Sequence, residues 1–471
     1  MDITLHTTNL TQFRDIVYQN FTNRADSLMD LLDAMCSKPD ANSVVEYSLA
    51  PVYRRSYSTI FKAIDELEVA PLWLPHRLGP YLPRPEKRPF WLLITDVTPC
   101  PRPFARTLDN RGMVYQPEVV KGKLPVTIGH EYSTVAVGLE PEAGVSSSWV
   151  LPLSTKRVAT TDDKEMVGSK QIEALMLDPG LPFSRELTVE VGDTNYSKPA
   201  YLHSHRDLSN LVTIARGRGT RTFYHQYVPT VEETTNPGKG HPKWYGERFS
   251  LSDSTTWTKP NETLTFQETS RKGKVYQVEI QAWHNLVMRG KNDPKLPMHK
   301  YPFTLLRIVR YDKDGNALFK HPLWLIVMGD RRHELTLAQI HQAYKDRFDI
   351  EHFFRFGKQK LLLTDFQTPE VKREENWWQL VHIAYAQLWM ARHVAEALPN
   401  PWERNLPNMK RRLLSPTLVQ RDFARLIRQL GTPAQAPQPR GISPGRRKGT
   451  KLPKRLRCKV VVKGKKVAKT A

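Results

Sequence analysis

The sequence contains little cysteine. Its three cysteines, Cys36, Cys100 and Cys458, are spread over 471 residues. They lie too far apart to form the closely spaced pairs that bind structural zinc, and they are too few for a disulfide framework. We therefore expect neither a zinc-finger fold nor a fold that depends on disulfide bonds.

Long apolar runs are also missing. The longest, Leu323–Met328, has six residues, whereas a helix that spans a membrane needs about 20. Residues 1–13 contain no basic stretch followed by an apolar one, which is the pattern of a secretory signal. We therefore expect a protein that stays inside the cell and is not a membrane protein.

Acidic residues are missing from one segment. Residues 440–471 contain 13 of the 70 Lys and Arg residues but no Asp or Glu, and the whole chain has a net charge of +22. Such a segment buries too little apolar surface to fold alone, so we predict a basic, disordered tail. Binding to nucleic acid is favoured, because cations that release condensed counterions from phosphates gain free energy. A solubilising tail and an anionic membrane are the alternatives.

Changes in apolar spacing divide the chain into segments. Helical spacing near the N-terminus predicts a small helical domain, and the Pro-dense stretch after it predicts a linker without helix. Strand-like runs with a helix follow, then a long β-rich stretch, and then helical spacing again. The predicted segments are residues 1–70 (helical), 71–89 (linker), 90–215 (α/β), 216–330 (β-rich), 331–431 (helical) and 432–471 (basic tail). These segments predict a mixed α/β protein.

Two aspartates lie where predicted buried strands end. The apolar run at residues 90–94 leads to Asp96, and the strand-like segment at residues 187–191 leads to Asp193. A carboxylate at such a position suits a metal site, because paired Mg²⁺ ions need oxygen ligands from separate rigid elements. The alternative is that each aspartate only begins a turn, as Asp commonly does.

A third acid lies within a helical pattern. Tyr344, Arg347, Glu351 and Lys358 are spaced so that a single helix over residues 344–358 would carry all four side chains on one face. That face would present a carboxylate between cations. The alternative is an exposed stripe of ion pairs, since Arg–Glu pairs four residues apart stabilise helices.

At these positions the sequence resembles the insertion-sequence transposases, whose catalytic domain is of the ribonuclease-H type with an Asp-Asp-Glu triad. It is most similar to the branch with the signature Y-x2-R-x3-E-x6-K, which Tyr344, Arg347, Glu351 and Lys358 match without departure. The segments LLITDVTP and VEVGDTNYS resemble the first and second acid motifs of the family. The resemblance implies an α/β, ribonuclease-H-like catalytic domain interrupted by a β-rich insertion, with an N-terminal helical DNA-binding domain and C-terminal helices.

The resemblance also implies an activity. A transposase of this type cleaves DNA at transposon ends and transfers the strands into target DNA, here by a cut-and-paste route. Asp96, Asp193 and Glu351 would be the catalytic residues and would hold two Mg²⁺ ions, with Mn²⁺ as a substitute. The implied partners are double-stranded DNA and further copies of the chain in a synaptic complex, in a prokaryotic cytoplasm at the nucleoid. An inactive DNA-binding protein derived from a transposase and a hydrolytic nuclease of the same fold are the alternatives.

Basic and aromatic residues complete the predicted DNA-binding surface. The predicted DNA-binding residues are Tyr344, Arg347, Lys358, Arg216, Arg54 and Arg55. By the resemblance, the first three bind phosphates beside the scissile bond, where arginine offers a bidentate fork and lysine a point charge. The fourth is expected to line the DNA channel, and the last two precede a helix of the N-terminal domain, where cations commonly meet phosphates. A solvated basic loop and a surface stripe are the alternatives for these three arginines.

Overall fold

The computed structural model divides the chain into two compact units. It describes residues 3–116, 125–141, 149–229, 243–270, 273–290, 295–397, 414–439, 445, 447–451 and 454–462. The first unit consists of Met1–Pro83, Val97–Val167 and Asp349–Ala471, and the second of Arg84–Asp96 and Gly168–Phe348. The chain passes from the second unit into the first between Asp96 and Val97, within one strand.

Helices and strands both contribute to the fold. The described α-helices are α1 (Ile3–Asn20), α2 (Ala25–Ser37), α3 (Tyr57–Asp65), α4 (Trp73–Leu78), α5 (Lys164–Met176), α6 (Pro199–Ser204), α7 (Leu337–Asp346), α8 (Asp349–Lys360), α9 (Val371–Ala391) and α10 (Pro416–Leu430). The strands are β1 (Trp91–Pro101), β2 (Gly112–Tyr115), β3 (Val126–Gly138), β4 (Val150–Val158), β5 (Thr188–Gly192), β6 (Leu211–Gly217), β7 (Thr222–Gln226), β8 (Tyr245–Ser250), β9 (Glu262–Thr269), β10 (Val275–Val287), β11 (Phe303–Tyr311) and β12 (Leu323–Met328). They confirm the predicted mixed α/β class. Within the described residues, every helix is too short or too polar to cross a membrane.

The first unit contains helices from both ends of the chain. α1 and α2 pack against α9, and α2 also packs against α10. A buried ion pair joins α1 to α2, with Arg14 Nη1 2.5 Å from Asp33 Oδ1. Gln387 of α9 donates a hydrogen bond to the same carboxylate at 3.3 Å. Residues 1–70, expected as a separate domain, therefore share a hydrophobic core with helices near the C-terminus.

A buried polar cluster joins the strands of the first unit to α9. In this unit β3 pairs with β2 and β4 and also neighbours β1. Glu374 of α9 is fully buried and accepts hydrogen bonds from Arg102 Nε at 2.7 Å and from the Tyr132 hydroxyl at 2.7 Å. His130 Nδ1 lies 2.6 Å from the same carboxylate. Because Arg102 also donates to two carbonyls in the segment after α8, the cluster fixes that segment as well.

The Pro-dense stretch differs from its prediction. The sequence predicts a linker without helix over residues 71–89, but Trp73–Leu78 forms α4 and Gly79–Tyr81 forms a 3₁₀ turn. The prediction is wrong because Pro75 lies in the first turn of α4, where its missing N–H removes no intrahelical hydrogen bond. Burial of the apolar side chains of α4 then stabilises the helix.

In the second unit, β1 pairs in parallel with β5, and β5 pairs in parallel with β6. The order continues through β12, β11, β10, β7 and β8 in antiparallel pairs, and β9 pairs with β10. β11 and β12 pair as a hairpin, and Gly315 in the loop between them has a φ of +80°, which glycine adopts without strain. The strands beyond β6 lie in the stretch predicted to be β-rich.

Part of the predicted disordered tail packs against the first unit. Residues 454–462 are described, and Val461 forms a parallel β-bridge with Gly112. The Val461 amide also donates to the carbonyl of Arg111 at 2.8 Å. The prediction of disorder is wrong for these residues, because the composition of the tail obscured a run of three valines that favours extended pairing. Residues 440–444, 446, 452–453 and 463–471 of the predicted tail lie outside the described residues.

Candidate active site

Asp96 and Asp193 occupy neighbouring positions in the second unit. β1 and β5 are parallel, and the last pair in their register is Ile94 with Val191. Two residues further along each strand lie Asp96 on β1 and Asp193 directly after β5. Residues two apart point to the same face of a sheet, and neighbouring strands lie about 4.8 Å apart. The register therefore places the carboxylates of Asp96 and Asp193 on the same face of the sheet.

Arg216 extends this pair into a row. β5 and β6 are parallel, and the last pair in their register is Gly192 with Ala215. One residue further lie Asp193 and Arg216, so three neighbouring strands carry Asp96, Asp193 and Arg216 at equivalent positions. We call these three residues the Asp–Asp–Arg row. The Arg216 side chain is exposed, which agrees with its predicted place beside DNA.

Asp193 also begins a turn, as the alternative interpretation requires. It caps the 3₁₀ helix Thr194–Ser197: Oδ1 accepts from the Asn195 amide at 2.7 Å, and Oδ2 accepts from Asn195 Nδ2 at 3.1 Å. Each carboxylate oxygen has two lone pairs, so capping leaves acceptor capacity for a cation. Turn formation and metal binding are therefore compatible at this residue.

Asp96 does not end its strand, contrary to the prediction. β1 continues to Pro101, because β3 also pairs with β1 and supports its C-terminal half. Asp96 thus lies inside a paired strand rather than in a turn. The turn interpretation is wrong for this residue, and the carboxylate is carried by a rigid element.

Tyr344 lies among the charged groups of the row. It belongs to α7, which packs against β5. Burial raises the pKa of Tyr344, the charges of Arg347 and Arg216 oppose that rise, and the charge of Asp193 adds to it. The Arg347 guanidinium lies over the ring of Tyr344, 5.6 Å from its centroid, and over the ring of Phe348, at 4.5 Å. Because Tyr344 and Arg347 are both buried, Arg216 is the exposed cation of this group.

The predicted single helix over residues 344–358 is two helices. α7 ends at Asp346 and α8 begins at Asp349, and the two helices belong to different units. The Phe348 amide bonds to the carbonyl of Lys345 at 3.2 Å, a tightened contact typical of a helix end. Asp349 then favours a new N-terminus, where negative charge is stabilised. One continuous face with all four side chains is therefore not formed by a single helix.

Glu351 and Lys358 belong to the first unit. Glu351 lies in the first turn of α8, and its side chain is exposed. Lys358 Nζ donates to Thr98 Oγ1 at 2.8 Å, in the part of β1 that belongs to this unit. The lysine predicted to bind phosphate is therefore tied to the strand that carries the first acid.

A cavity of about 460 Å³ lies beside Arg216 and Tyr344 in the second unit. Six basic or aromatic residues that no sequence motif marks also line its wall, namely Arg310, Phe319, Lys320, His321, Lys345 and Phe348. Phe319, Lys320 and His321 are consecutive residues in the loop between β11 and β12. The sequence shows this basic and aromatic run but does not show that it lies beside Arg216 and Tyr344. A cavity that combines cations with aromatic rings suits the phosphates and bases of nucleic acid.

One carboxylate neutralises part of this cavity. Glu268 forms ion pairs with Lys345 and, at 3.3 Å, with Arg310. Burial lowers the pKa of Lys345, and the ion pair with Glu268 offsets its positive charge. Arg216 and Lys320 consequently provide most of the positive charge that the cavity offers to a ligand.

Arg54 and Arg55 hold α2 against the segment after α10. Arg54 Nη2 donates to Asp30 Oδ1 at 2.7 Å, and Arg55 Nε donates to Asp30 Oδ2 at 2.9 Å. The same guanidinium groups donate to the carbonyls of Ala434 and Gln435. The assignment of the two arginines to DNA binding stays a prediction.

The row supplies ligands of the kind that magnesium prefers. Mg²⁺ is commonly held by one or two carboxylates, with water and substrate phosphates at its other positions. Asp96 and Asp193 fit this chemistry, since both offer carboxylate oxygens on one face. Among the residues that the structure describes, no three or more His, Cys, Asp or Glu side chains form a group that could hold a metal ion. The convergence of Glu351 with the two aspartates stays a prediction.

Comparison with known families agrees with this geometry. The family model of the DDE superfamily endonucleases matches residues 17–289, more than half of the chain. The chain therefore belongs to the DDE superfamily endonucleases. The match includes all three residues of the Asp–Asp–Arg row and ends before Tyr344. No curated protein matches the chain. Membership supports a nuclease or transposase that acts on DNA, in a family that generally uses divalent metal ions.

Proposed function

We propose that the protein is a DNA transposase of the Tyr-Arg-Glu-Lys branch. It cleaves DNA at the ends of its element and joins the ends to target DNA by a cut-and-paste route. One observation supports this proposal most strongly. The parallel register of β1, β5 and β6 places Asp96, Asp193 and Arg216 on the same face of the sheet, and a cationic cavity lies beside Arg216. The match of the α7–α8 segment to the Y-x2-R-x3-E-x6-K signature supports the branch.

The proposed catalytic domain is ribonuclease-H-like. In the first unit β4, β3 and β1 are successive neighbours, and in the second unit β1, β5 and β6 are successive neighbours. The antiparallel pair β3–β4 and the parallel pairs β1–β5 and β5–β6 support this assignment, since the acids lie on or directly after the parallel strands. The strands beyond β6 then correspond to the β-rich insertion.

Each residue has a proposed role in the reaction. Asp96, Asp193 and Glu351 would hold two Mg²⁺ ions, for which Mn²⁺ can substitute, and the bound ions would activate water and later a 3′-hydroxyl. The two strands keep the aspartate carboxylates in fixed positions. Arg216 binds the phosphate beside the scissile bond, because arginine forms two parallel hydrogen bonds to it. Tyr344 of α7, Arg347 directly after this helix and Lys358 of α8 bind neighbouring phosphates.

The proposed partners follow from the same chemistry. Double-stranded DNA is the substrate, both as transposon ends and as target. Because an element has two ends, we propose that copies of the chain associate in a synaptic complex. The proposed location is a prokaryotic cytoplasm, at the nucleoid, where a chain with a net charge of +22 meets DNA.

Replacing Glu351 with glutamine tests the proposal. We expect cleavage of a labelled duplex with the element's inverted repeat, in Mg²⁺, to fall by at least about 100-fold, because loss of a metal ligand removes several kcal/mol of transition-state stabilisation. Binding of the duplex should persist. Asp349→Asn is the matched control, since it removes a charge from the same helical turn.

The products of this assay separate the alternatives. A Glu351→Gln variant that cleaves at the wild-type rate would rule out the proposed role of Glu351 and leave the surface ion-pair interpretation. A wild-type protein that cuts the duplex but never joins it to a second DNA would be a hydrolytic nuclease. A wild-type protein that binds without cutting would be the inactive DNA-binding protein.

A second prediction concerns the basic tail. Residues 440–453 and 463–471 contain five and four cations, nine in all, and they flank the segment that packs on the first unit. Replacing these nine with glutamine should weaken non-specific DNA binding and make the log–log salt dependence shallower, by up to about 0.9 for each lost phosphate contact. The melting temperature should not change, because residues 454–462 stay intact. An unaltered salt slope would mean that the tail does not bind DNA.

A further inference from the structure

A buried acid lies behind the Asp–Asp–Arg row. Glu190 belongs to β5, three residues before Asp193, and its side chain is fully buried. Side chains alternate along a strand, so Glu190 points to the opposite face from Asp193. A carboxylate is expensive to bury, and the proposed reaction makes no use of this one.

Three hydroxyl donors and one imidazole nitrogen surround the carboxylate of Glu190. Thr95 Oγ1 donates to Oε1 at 2.9 Å, and Thr213 Oγ1 donates to Oε2 at 3.2 Å. The Tyr201 hydroxyl also donates to Oε1, and His205 Nδ1 lies 3.4 Å from Oε2. Burial and the charge of Glu190 raise the pKa of Tyr201 well above its usual value, which keeps the phenol a donor. A carboxylate can accept about four hydrogen bonds, so the three hydroxyls use most of its acceptor capacity and hold it in one position.

These donors come from the strands of the row. Thr95 directly precedes Asp96 on β1, and Thr213 lies three residues before Arg216 on β6. Through two hydroxyl groups, one carboxylate of β5 therefore links both neighbouring strands immediately before the row. The links oppose sliding or separation of the strands at the position where the two aspartates must hold a fixed spacing.

The negative charge of Glu190 also favours a divalent cation at Asp96 and Asp193. Glu190 lies on the opposite face of the same strands, one short step before Asp96 and Asp193, and its burial limits the screening of any repulsion between the three carboxylates. A divalent cation in front of the row relieves this repulsion. Removing the buried charge therefore lowers the attraction of the row for such a cation, even where the positions of Asp96 and Asp193 do not change.

We infer that Glu190 is a positioning residue of the acid pair: it fixes the spacing of β1, β5 and β6 and adds a negative charge that favours a divalent cation at Asp96 and Asp193. The inference rests on the proposed function for the role of the acid pair. It assigns to Glu190 an effect on metal affinity that a purely structural buried acid does not have.

The test measures Mn²⁺ affinity of the full chain without DNA, from the electron paramagnetic resonance signal of free Mn²⁺. Glu190→Gln keeps the shape of the side chain but removes its charge, and we expect the Kd for Mn²⁺ to rise by about tenfold, as for other residues behind metal ligands. The control is Asp33→Asn, since Asp33 is an equally buried acid with donors on both oxygens, among the helices of the first unit. It should weaken folding without changing the Kd.

Tyr201→Phe gives a second, milder variant. It removes one donor from Glu190 and keeps the buried ring, so we expect a smaller rise in the Kd; if Glu190→Gln does not fold, this variant decides. An unchanged Kd in a folded Glu190→Gln variant would overturn the inference. If the wild-type protein binds Mn²⁺ but cleaves no DNA while the effect of Glu190→Gln on the Kd is present, the proposed function fails and the inference stands. If cleavage occurs and the Glu190→Gln variant binds Mn²⁺ normally, the inference alone fails.

Discussion

Replacing Asp193 with asparagine is expected to lower the rate of DNA strand cleavage by at least about 100-fold, because one metal ligand loses its charge. Asparagine caps helices as well as aspartate does, so the turn at Thr194–Ser197 should persist. The substitution therefore separates the two roles that the structure gives to Asp193. Cleavage of an end-labelled duplex in Mg²⁺, with duplex binding measured in parallel, is the assay.

A matched control is available in the same unit. Asp253 caps the 3₁₀ helix Ser254–Thr256 and accepts from the Thr255 amide at 3.2 Å, as Asp193 accepts from Asn195. Asp253→Asn makes the same chemical change at a position outside the Asp–Asp–Arg row, so cleavage should remain at the wild-type rate. Equal activity of both variants would mean that Asp193 is only a capping residue, and the proposed site would have to be abandoned.

Replacing Glu374 with alanine is expected to lower the free energy of unfolding by about 3–5 kcal/mol, because it leaves the buried guanidinium of Arg102 without its counter-charge. The substitution also deprives Tyr132 and His130 of their shared acceptor. Urea unfolding can be followed through tryptophan fluorescence, since α9 itself carries buried tryptophans.

The neighbouring residue is the control for this prediction. Glu375 Oε1 lies 3.0 Å from Arg157 Nε, but its side chain is 43% exposed. Exposed ion pairs contribute about 0–1 kcal/mol, so Glu375→Ala should change the unfolding midpoint little. A loss for Glu374→Ala as small as that for Glu375→Ala would contradict the structural role of the cluster.

The protonation of Glu374 adds a pH dependence. Burial alone would raise the pKa of Glu374, but the hydrogen bond from His130 and the charge of Arg102 hold it below its ordinary value. A carboxyl group whose pKa is lower in the folded state stabilises the fold above its unfolded pKa. That contribution is lost as the pH falls through the folded pKa, and the difference between wild type and the alanine variant should shrink with it.

Local sequence patterns predicted the members of the row but not the row itself. Asp96 follows an apolar run and Asp193 follows a strand-like segment, and both patterns are visible within a few residues. Their neighbouring positions depend on the register of two strands that are 97 positions apart, Trp91 with Thr188 and onward. The register of two such strands is set by packing of the whole sheet, so it cannot be predicted from a short stretch of sequence.

The wrong prediction of a single helix over residues 344–358 has the same physical origin. The spacing of Tyr344 to Lys358 is compatible with one helix, and the break depends on packing rather than on a Pro or Gly that the sequence would reveal. The ion pairs of Arg54 and Arg55 with Asp30, a buried acid on α2, are likewise not visible in the local sequence. A basic residue cannot be assigned to a surface from sequence until the carboxylates near it are known.

The segmented make-up of the first unit has a consequence for synthesis of the chain. Gln387 bonds to Asp33 across 354 positions of sequence, so α2 gains its contacts with α9 long after α2 itself has been synthesised. At about 5–20 residues per second, roughly 20–70 seconds separate the synthesis of the two residues, and during this time the side of α2 that packs against α9 and α10 has no partner. A chain that ends before α9 lacks these contacts and cannot complete this core.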